Sequence, residues 1–380
     1  EVERIARSIA ATLSEGGAVI AKEPRMLRIG VLGCGPIAQF AHFDACRKGR
    51  NTELFAICDA APDLLARMAA THGPAKTYAR FEDMLNDSQV EAVIIAVSDQ
   101  FHVPLCMQAL DAGKHVFVEK PLGVSIEECE SLRARVHAVR ARAHRVFQVG
   151  NNRRFDPGVQ FAHNFIRDDI GGLIAMKAWY CDSTLRYSMT DNLQPVPIVS
   201  ANALKPGGNP KADKRRYFML THGSHLVDSA RYLAGEIESV SAKLVEKYES
   251  YCWFISVDFK GGHVGHLDLT VPLRGDFQEG FQIYGELGSV YGKIPLPWYR
   301  KSGDVECFSV KDRQFRRVIG EDAYTYKLQL EAFADTVLHG KPQLGATVDD
   351  GIAAMRAMVA IARAVESGGI VRLDGVTGSV

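Results

Sequence analysis

The chain of 380 residues contains 45 lysines and arginines and 45 aspartates and glutamates, so its formal net charge is zero. Single cores stop growing near roughly 250–300 residues, and this length therefore predicts two domains. The balanced charge excludes a strongly basic surface for nucleic acid or anionic lipid, which leaves small molecules or other subunits as the expected partners. No apolar stretch approaches the ~20 residues that span a bilayer, and the first residues lack the apolar centre of a secretory signal. We expect a soluble protein.

The eight cysteines are scattered along the chain without the short paired spacings of zinc or redox motifs. A chain of this size does not need disulfides for stability, so a reducing, cytoplasmic location fits best. Most of the cysteines lie in apolar runs, which favours the interpretation that they are small buried hydrophobes. We expect no metal site.

Residues 1–25 precede the first apolar run. Val2, Ile5, Ile9 and Leu13 follow helical spacing, and glycines and a proline come after them. The pattern predicts an amphipathic helical extension that packs on its own domain or on a neighbour.

Residues 26–148 alternate between short apolar runs and helical patterns. The runs are 27–32, 54–58, 93–97 and 116–118, and helical segments such as 62–72 and 102–112 lie between them. Strands separated by helices imply right-handed crossovers and a parallel sheet that is covered on both faces. The first half is therefore predicted to be an α/β, doubly wound Rossmann domain.

A glycine pattern follows the first predicted strand and opens a helix. It comprises Gly33, Gly35, Pro36, Ile37 and Ala38. The first glycine permits a tight turn, the second lets the backbone approach a pyrophosphate, and the alanine keeps helix and sheet close. Free N–H groups at the helix N-terminus attract the anion. The segment predicts a dinucleotide site.

Asp59 ends the next apolar run, at roughly the 20-residue offset expected of the acidic residue that binds ribose. A carboxylate there accepts both ribose hydroxyls and repels a 2′-phosphate, which favours NAD over NADP. Ala60 and Ala61 offer no cation to reverse this preference. The alternative is that Asp59 only caps the helix that starts near Pro62.

Residues 149–380 show a different succession of sequence patterns. One helical pattern at 158–170 is followed by strand-like segments at 173–181, 240–247, 252–260, 265–271, 281–284 and 289–293, and by helical patterns at 324–339 and 349–367. This predicts an α+β domain with a large, mostly antiparallel open sheet for substrate binding and oligomerisation. Residues 182–216 lack periodicity, and they either shape a substrate pocket or form a disordered or subunit-contacting excursion.

Lys120 follows the short apolar run 116–118, which places it at the carboxyl end of a parallel strand, where open α/β sheets bind ligands. An ammonium there could hydrogen-bond a substrate hydroxyl and shift its proton equilibrium. The alternative is an ordinary solvated lysine.

Six short motifs occur in order along the chain. They are Gly33-x-Gly35-x-x-Ala38, Ala112-Gly113-Lys114-His115-Val116-x-x-Glu119-Lys120-Pro121-Leu122, Arg154-Phe155-Asp156-Pro157, Gly223-x-His225-x-x-Asp228 with Tyr232-Leu233-x-Gly235, Tyr284-Gly285-x-x-Gly288-Ser289, and Phe333-Ala334-Asp335. Together they resemble the Gfo/Idh/MocA family of oxidoreductases, from about residue 27 to 373. The resemblance implies an NAD(P)-dependent oxidoreductase acting on hydroxyl groups of sugars, sugar derivatives and cyclitols. It also implies a homo-oligomer, a dimer or tetramer formed through the open sheet.

The resemblance also assigns residues. It implies that Lys120 is the catalytic lysine and that His225 is the acid/base. It implies further cofactor contacts from Ser98, Asp99, His102, Glu119 and Lys120, although the family commonly carries Pro-Asn where this chain has Ser98-Asp99. The implied substrate contacts are Asn152, Arg153, Arg154, Thr221, His222 and Asp228, the last of which could instead anchor a helix.

One position departs from the family pattern. Members similar to inositol dehydrogenase have an aspartate four residues before the catalytic histidine, whereas this chain has Thr221, followed by His222. Three explanations stay open: Thr221 orients His225 without charge, His222 takes part in the proton path, or the substrate lies outside the inositol group.

The leading hypothesis is an NAD-dependent dehydrogenase that transfers hydride between nicotinamide and a secondary alcohol or ketone of a sugar, sugar derivative or cyclitol, without a metal. One alternative enzyme oxidises a sugar carbon transiently and cleaves a glycoside without net redox change. A non-catalytic NAD-binding sensor is the third hypothesis.

Overall fold

The computed structural model describes residues 25–185, 196–204, 207, 209, 211–320 and 322–380, so the predicted N-terminal helix lies outside the described residues. Its first sheet has six parallel strands in the order β3-β2-β1-β4-β5-β6. This is the strand order of the dinucleotide-binding Rossmann fold, and it confirms the predicted doubly wound sheet. The strands are β1 (Leu27–Leu32), β2 (Thr52–Cys58), β3 (Lys76–Tyr78), β4 (Ala92–Ile95), β5 (His115–Val118) and β6 (Phe147–Val149).

Helices connect these strands and cover both faces of the sheet. They are α1 (Phe43–Lys48), preceded by a π-helical turn at Ala38–His42, α2 (Pro62–His72), α3 (Phe81–Asn86), α4 (His102–Asp111) and α5 (Ile126–Arg140). Local chemistry sets their ends: α2 begins at a proline and ends at Gly73 with φ 61°. At the start of α5 the Ser125 hydroxyl and the Glu128 carboxylate form a capping box.

The second sheet has nine strands in the order β14-β13-β12-β11-β7-β10-β9-β8-β15, with only β7 and β10 parallel. This confirms the predicted, mostly antiparallel open sheet. Buried and exposed residues alternate along β9 and β10, as expected when one face of a sheet is covered and the other is open. The strands are β7 (Leu173–Ser183), β8 (Ile237–Lys247), β9 (Ser250–Phe259), β10 (Val264–Leu273), β11 (Gln278–Gly285), β12 (Gly288–Lys293), β13 (Asp304–Ser309), β14 (Gln314–Arg317) and β15 (Val371–Arg372).

The helices of the second half join the two sheets. They are α6 (Pro157–Asp168), α7 (Lys214–Phe218), α8 (Ser224–Ala234), α9 (Thr325–His339) and α10 (Val348–Ser367), with a π-helical turn at Met219–Gly223 between α7 and α8. Helix α8 packs on β7 and α10 packs on β8. Helix α9 returns to the first sheet, where Leu330 and Phe333 lie in one apolar cluster with Ile29. The second half of the chain thus completes the core of the first.

Candidate active site

The turn after β1 is built from two glycines with different roles. Gly33 has φ +94°, and a Cβ there would lie 2.6 Å from the carbonyl oxygen of Ala96. Gly35 faces open space, since no heavy atom lies within 4 Å of the position its Cβ would take. A helix starts directly afterwards, so its free N–H groups border this space. The loop fits a pyrophosphate that approaches the backbone closely.

A cleft of about 700 Å³ opens beside this turn. Its volume is in the range of small-molecule and cofactor sites. Six of the predicted cofactor residues line it, namely Gly33, Gly35, Pro36, Ile37, Asp59 and Ser98. The glycine loop and the cleft together fit NAD.

Five predicted cofactor residues do not line this cleft. Ala38 is fully buried, and Asp99 accepts the backbone N–H of Gln100. His102 is buried with its ring nitrogens against the carbonyl oxygens of Pro121 and Val97, and burial lowers its pKa. The other two residues, Glu119 and Lys120, lie at the end of β5.

Asp59 contacts both the glycine loop and the start of α2. Its Oδ2 accepts the N–H of Cys34 at 2.7 Å, and its Oδ1 accepts the N–H of Ala61 at 2.8 Å. Arg80 lines the same cleft and is mostly exposed, with Glu82 at 3.7 Å. The sequence analysis missed this cation because Arg80 follows β3, a three-residue strand that carries no clear apolar run.

We expect Asp59→Asn to raise the ratio of kcat/KM with NADP to kcat/KM with NAD by about tenfold or more, because it removes a charge worth about 1.4 kcal/mol or more against a 2′-phosphate. Steady-state kinetics with both cofactors measures the ratio. Adding Arg80→Gln should reverse part of the gain, since it removes the cation from the cleft. A wild-type protein that already prefers NADP would contradict the assignment of Asp59.

Residues 196–204, here called the strap, run from the second half of the chain to the cofactor cleft. Gln39 bonds to both backbone groups of Ile198: its Nε2 donates to the carbonyl oxygen at 2.8 Å, and its Oε1 accepts the N–H at 2.9 Å. The Ser200 hydroxyl donates to Asp63 at the start of α2. Ala203 and Leu204 then line the cleft. The strap, which belongs to the described part of residues 182–216, therefore lies at the cofactor cleft.

Gln39→Ala removes three hydrogen bonds, two to Ile198 in the strap and one to the carbonyl oxygen of Cys34 in the glycine loop. We expect it to increase the dissociation rate of NADH by about tenfold, because such bonds contribute about 0.5–1.5 kcal/mol each. Stopped-flow fluorescence of NADH measures the rate. Thr71→Ala on the exposed face of α2 is the control, and it should leave the rate unchanged. An unchanged rate in Gln39→Ala would show that the strap does not retain the cofactor.

Glu119 is a buried carboxylate beside Lys120. Burial raises its pKa, but the hydrogen bond from His42 at 2.8 Å and the charges of His42, Lys120 and His102 outweigh burial and hold that pKa below its usual range. The sequence analysis did not single out His42, which lies in the π-helical turn after the glycine loop. The contact ties the end of β5 to the cofactor loop.

Lys120 connects the two halves of the site. Its Nζ donates to the backbone carbonyl oxygen of Thr221 at 3.0 Å, across 101 positions of sequence. Thr221 lies in the π-helical turn that leads into α8, and His225 follows about one turn later. Irregular helical turns of this kind often occur at functional sites. The lysine at the end of β5 thus meets the segment that carries the predicted acid/base.

His222 has a carboxylate partner that the sequence did not predict. Its Nε2 lies 2.8 Å from Asp182 Oδ2, and its Nδ1 lies 2.7 Å from the hydroxyl of Thr221. The ring of Tyr180 stacks on His225 at 5.4 Å between centroids and also contacts His222 at 5.9 Å. Both histidines therefore border one aromatic side chain of β7.

Four predicted substrate residues are bound to protein groups inside the molecule. Arg154 pairs with Asp228 through two hydrogen bonds of 3.0 and 2.7 Å, and the Asn152 amide donates to Thr325. Burial lowers the pKa of Arg154, but the charges of Asp228 and Asp350 outweigh it and raise that pKa. These pairings favour a supporting role for Asn152, Arg154 and Asp228 over direct substrate contact.

Arg153, the fourth of these residues, forms a buried pair with Glu279 on β11. Its Nε donates to Glu279 Oε1 at 2.9 Å. Burial raises the pKa of Glu279 to about 7, although Arg153 opposes the shift. The charge of Asp182 also raises this pKa, so the pair lies within electrostatic reach of the His222 partner.

None of the helices in the described ranges is long and apolar enough to cross a membrane.

Two family profiles match the chain in succession. Residues 27–150 match the NAD-binding Rossmann fold of the GFO_IDH_MocA oxidoreductase family, and residues 217–373 match the C-terminal alpha/beta domain of the same family. Inositol 2-dehydrogenase 3 from Saccharopolyspora erythraea is 27% identical over 356 residues, which cover 91% of this chain and 95% of the relative. Inositol 2-dehydrogenase from Ralstonia nicotianae is 27% identical over 362 residues, 92% of this chain and 96% of the relative.

Solved structures share the fold over most of the chain. The apo scyllo-inositol dehydrogenase from Lactobacillus casei has a TM-score of 0.71 at 20% identity and covers 93% of this chain and 100% of its own. An oxidoreductase from Agrobacterium radiobacter in complex with NAD+, L-tartaric acid and magnesium has a TM-score of 0.74 at 16% identity, with coverages of 92% and 98%. With both family profiles matched in order on this fold, the chain belongs to the Gfo/Idh/MocA family of oxidoreductases, whose N-terminal domain is an NAD-binding Rossmann fold.

Proposed function

We propose that the protein is an NAD-dependent dehydrogenase that interconverts a secondary alcohol and a ketone on a sugar, a sugar derivative or a cyclitol. The observation that carries the proposal is the hydrogen bond from Lys120 to Thr221, because it joins the end of β5 to the turn that precedes His225. Relatives named as inositol 2-dehydrogenases match over more than nine-tenths of the chain and support the cyclitol class.

Each side chain has a distinct role in this proposal. The Lys120 ammonium donates a hydrogen bond to the substrate hydroxyl and stabilises negative charge on its oxygen. His225 accepts the hydroxyl proton, since imidazole exchanges protons near neutral pH. NAD held in the cleft beside the glycine loop would supply the hydride acceptor for the carbinol carbon. The alcohol thus loses a hydride and a proton and becomes the ketone.

The experiment is a screen of the purified protein with NAD and a panel of cyclitols, aldoses, uronates and amino sugars, followed by absorbance of NADH. We expect net NADH formation with at least one polyhydroxylated compound. Consumption of a glycoside without net NADH would instead support the lyase or glycosidase mechanism. NAD binding without conversion of any compound would support a sensor. Either of these two outcomes would overturn the proposal.

The proposal also covers the cellular location and the oligomeric state of the protein. A cytoplasmic enzyme is consistent with the eight free cysteines, six of which are buried. The open face of the second sheet exposes large apolar side chains, among them Phe254 and Phe315. We propose that this face mediates a dimer or tetramer.

A further inference from the structure

A continuous hydrogen-bond network joins Asp182 on β7 to the π-helical turn that Lys120 contacts. Asp182 Oδ2 lies 2.8 Å from His222 Nε2, and His222 Nδ1 lies 2.7 Å from Thr221 Oγ1. The same hydroxyl lies 2.6 Å from the carbonyl oxygen of Tyr217. Asp182 is buried, and its other oxygen accepts the N–H of Ser183 at 2.9 Å. Each of these groups therefore has a hydrogen-bond partner within the network.

The number of protons shared within this hydrogen-bond network determines the charge of His222. A carbonyl oxygen only accepts, so the Thr221 hydroxyl gives its single proton to Tyr217. His222 Nδ1 must then carry a proton to donate to Thr221, and Nε2 must carry one to donate to the Asp182 carboxylate. An imidazole with both nitrogens protonated is an imidazolium. A neutral His222 would require a protonated Asp182 that donates to Nε2, or a Thr221 hydroxyl turned away from Tyr217, and the pairing with an ionised Asp182 is the state that keeps every contact with the carboxylate charged.

We propose that Asp182 is a positioning residue that keeps His222 as an imidazolium, and that this ion pair fixes Thr221 so that its carbonyl oxygen holds the Lys120 ammonium. The inference rests on the proposed function, in which Lys120 contacts the substrate hydroxyl. It answers the question left by Thr221: the carboxylate of this site comes from β7, not from the position four residues before His225.

The surroundings of His222 contain charges of both signs. Asp182 faces the ring from β7, and Lys120 approaches the preceding residue from β5. His225 lies on α8 behind the Tyr180 ring, whereas Phe218 contacts His222 edge-on at 5.7 Å. Among the described residues, the buried pair Arg153 and Glu279 also lies within electrostatic reach of Asp182. Asp182 is a carboxylate in direct contact with the ring of His222.

Asp182→Asn changes the charge without a loss of contacts. The asparagine oxygen can accept the N–H of Ser183, and its NH₂ group can donate to the lone pair of a neutral His222 Nε2. His222 then keeps one proton, on Nδ1, for Thr221. The variant therefore keeps the shape and the hydrogen bonds of the side chain, but it favours a neutral His222. Asp182→Glu, which keeps the charge, is the matched control.

The pH dependence of kcat/KM with the best compound of the panel is the first test. A carboxylate partner favours the charged form of a histidine, and Asp182→Asn lacks this partner, so the two proteins should differ most at high pH. In Asp182→Asn we expect kcat/KM within about threefold of the wild type near pH 6 and a loss of about 10–100-fold as pH rises to 9. The KM for NAD should not change. A profile parallel to the wild type would overturn the proposal.

A second readout does not depend on turnover. In NMR spectra of protein labelled with 15N-histidine, His222 is assigned by its loss in His222→Gln. We expect both ring nitrogens of His222 to be protonated at neutral pH in the wild type and in Asp182→Glu, and only one in Asp182→Asn. A neutral His222 in the wild type would overturn the inference even if the dehydrogenase activity is present. Conversely, an imidazolium in a protein that oxidises no panel compound would support the ion pair while the proposed function fails.

Discussion

Replacing Lys120 with methionine should lower kcat by roughly 10²–10⁴-fold, the range typical of a positioned proton-transfer group. Methionine keeps the unbranched apolar part of the side chain but lacks the ammonium that donates to Thr221 and, in the proposed mechanism, to the substrate oxygen. The measurement is steady-state formation of NADH with the best compound of the panel. The affinity for NADH, measured by fluorescence, should stay close to that of the wild type.

Lys120→Arg separates the two contributions of the lysine. Arginine restores a positive charge and hydrogen-bond donors, but it does not release a proton in the accessible pH range. Partial recovery relative to Lys120→Met would assign the larger effect to charge, and no recovery would assign it to proton exchange. If Lys120→Met turns over at the rate of the wild type, Lys120 has no part in the reaction.

Arg154→Met should lower the free energy of unfolding by about 3–5 kcal/mol, the usual cost of leaving a buried carboxylate without its cation. Arg154 and Asp228 are both buried, and their two hydrogen bonds join the segment after β6 to α8. Asp350 also contacts Arg154, at 3.1 Å, so two carboxylates lose a partner. Urea unfolding followed by circular dichroism measures the change.

The double variant Arg154→Met/Asp228→Leu is the matched control, because it removes the carboxylate that forms both short hydrogen bonds with Arg154, whereas Asp350 keeps Thr347 and Arg231 as partners. It should recover a large part of the lost stability, since apolar replacements of a buried ion pair are often nearly neutral. Arg167→Met on the exposed Arg167–Asp168 pair should leave the unfolding curve unchanged. Equal stability of Arg154→Met and the wild type would contradict a supporting role for the buried pair.

The Rossmann half could be predicted well because its signals are local. Strands β1, β2, β4 and β5 are buried on both faces and appear in the sequence as continuous apolar runs. Helix α2 matches its predicted bounds, since a proline and a glycine mark its ends. Strand β3 has only three residues, none of them fully buried, so it gave no comparable signal.

The misses in the rest of the fold have physical causes. Helix α5 was not recognised, although its capping box and the buried positions Ile126, Cys129, Leu132 and Val136 carry a helical signal. Strand β14 is exposed along its whole length, so it has no alternation to detect. The return of α9 to the first sheet is a long-range contact that periodicity does not encode.

In the candidate site, too, local motifs could be predicted from the sequence and long-range contacts could not. The positions of Gly33, Gly35 and Asp59 at the cleft follow from short motifs. The pairing of His222 with Asp182 joins residues 40 positions apart on different elements, and no local pattern announces it. Local motifs therefore placed the glycine loop after β1 and Lys120 after β5, whereas the charged partners around them required the structure.

The central claim is that Lys120 from the first half and His225 from the second act on one alcohol oxygen beside NAD. A crystal structure of the protein with NADH and myo-inositol tests it most directly. We predict Lys120 Nζ and a ring nitrogen of His225 within about 2.6–3.2 Å of the same inositol oxygen. Inositol bound with these two side chains directed into separate cavities would contradict the account.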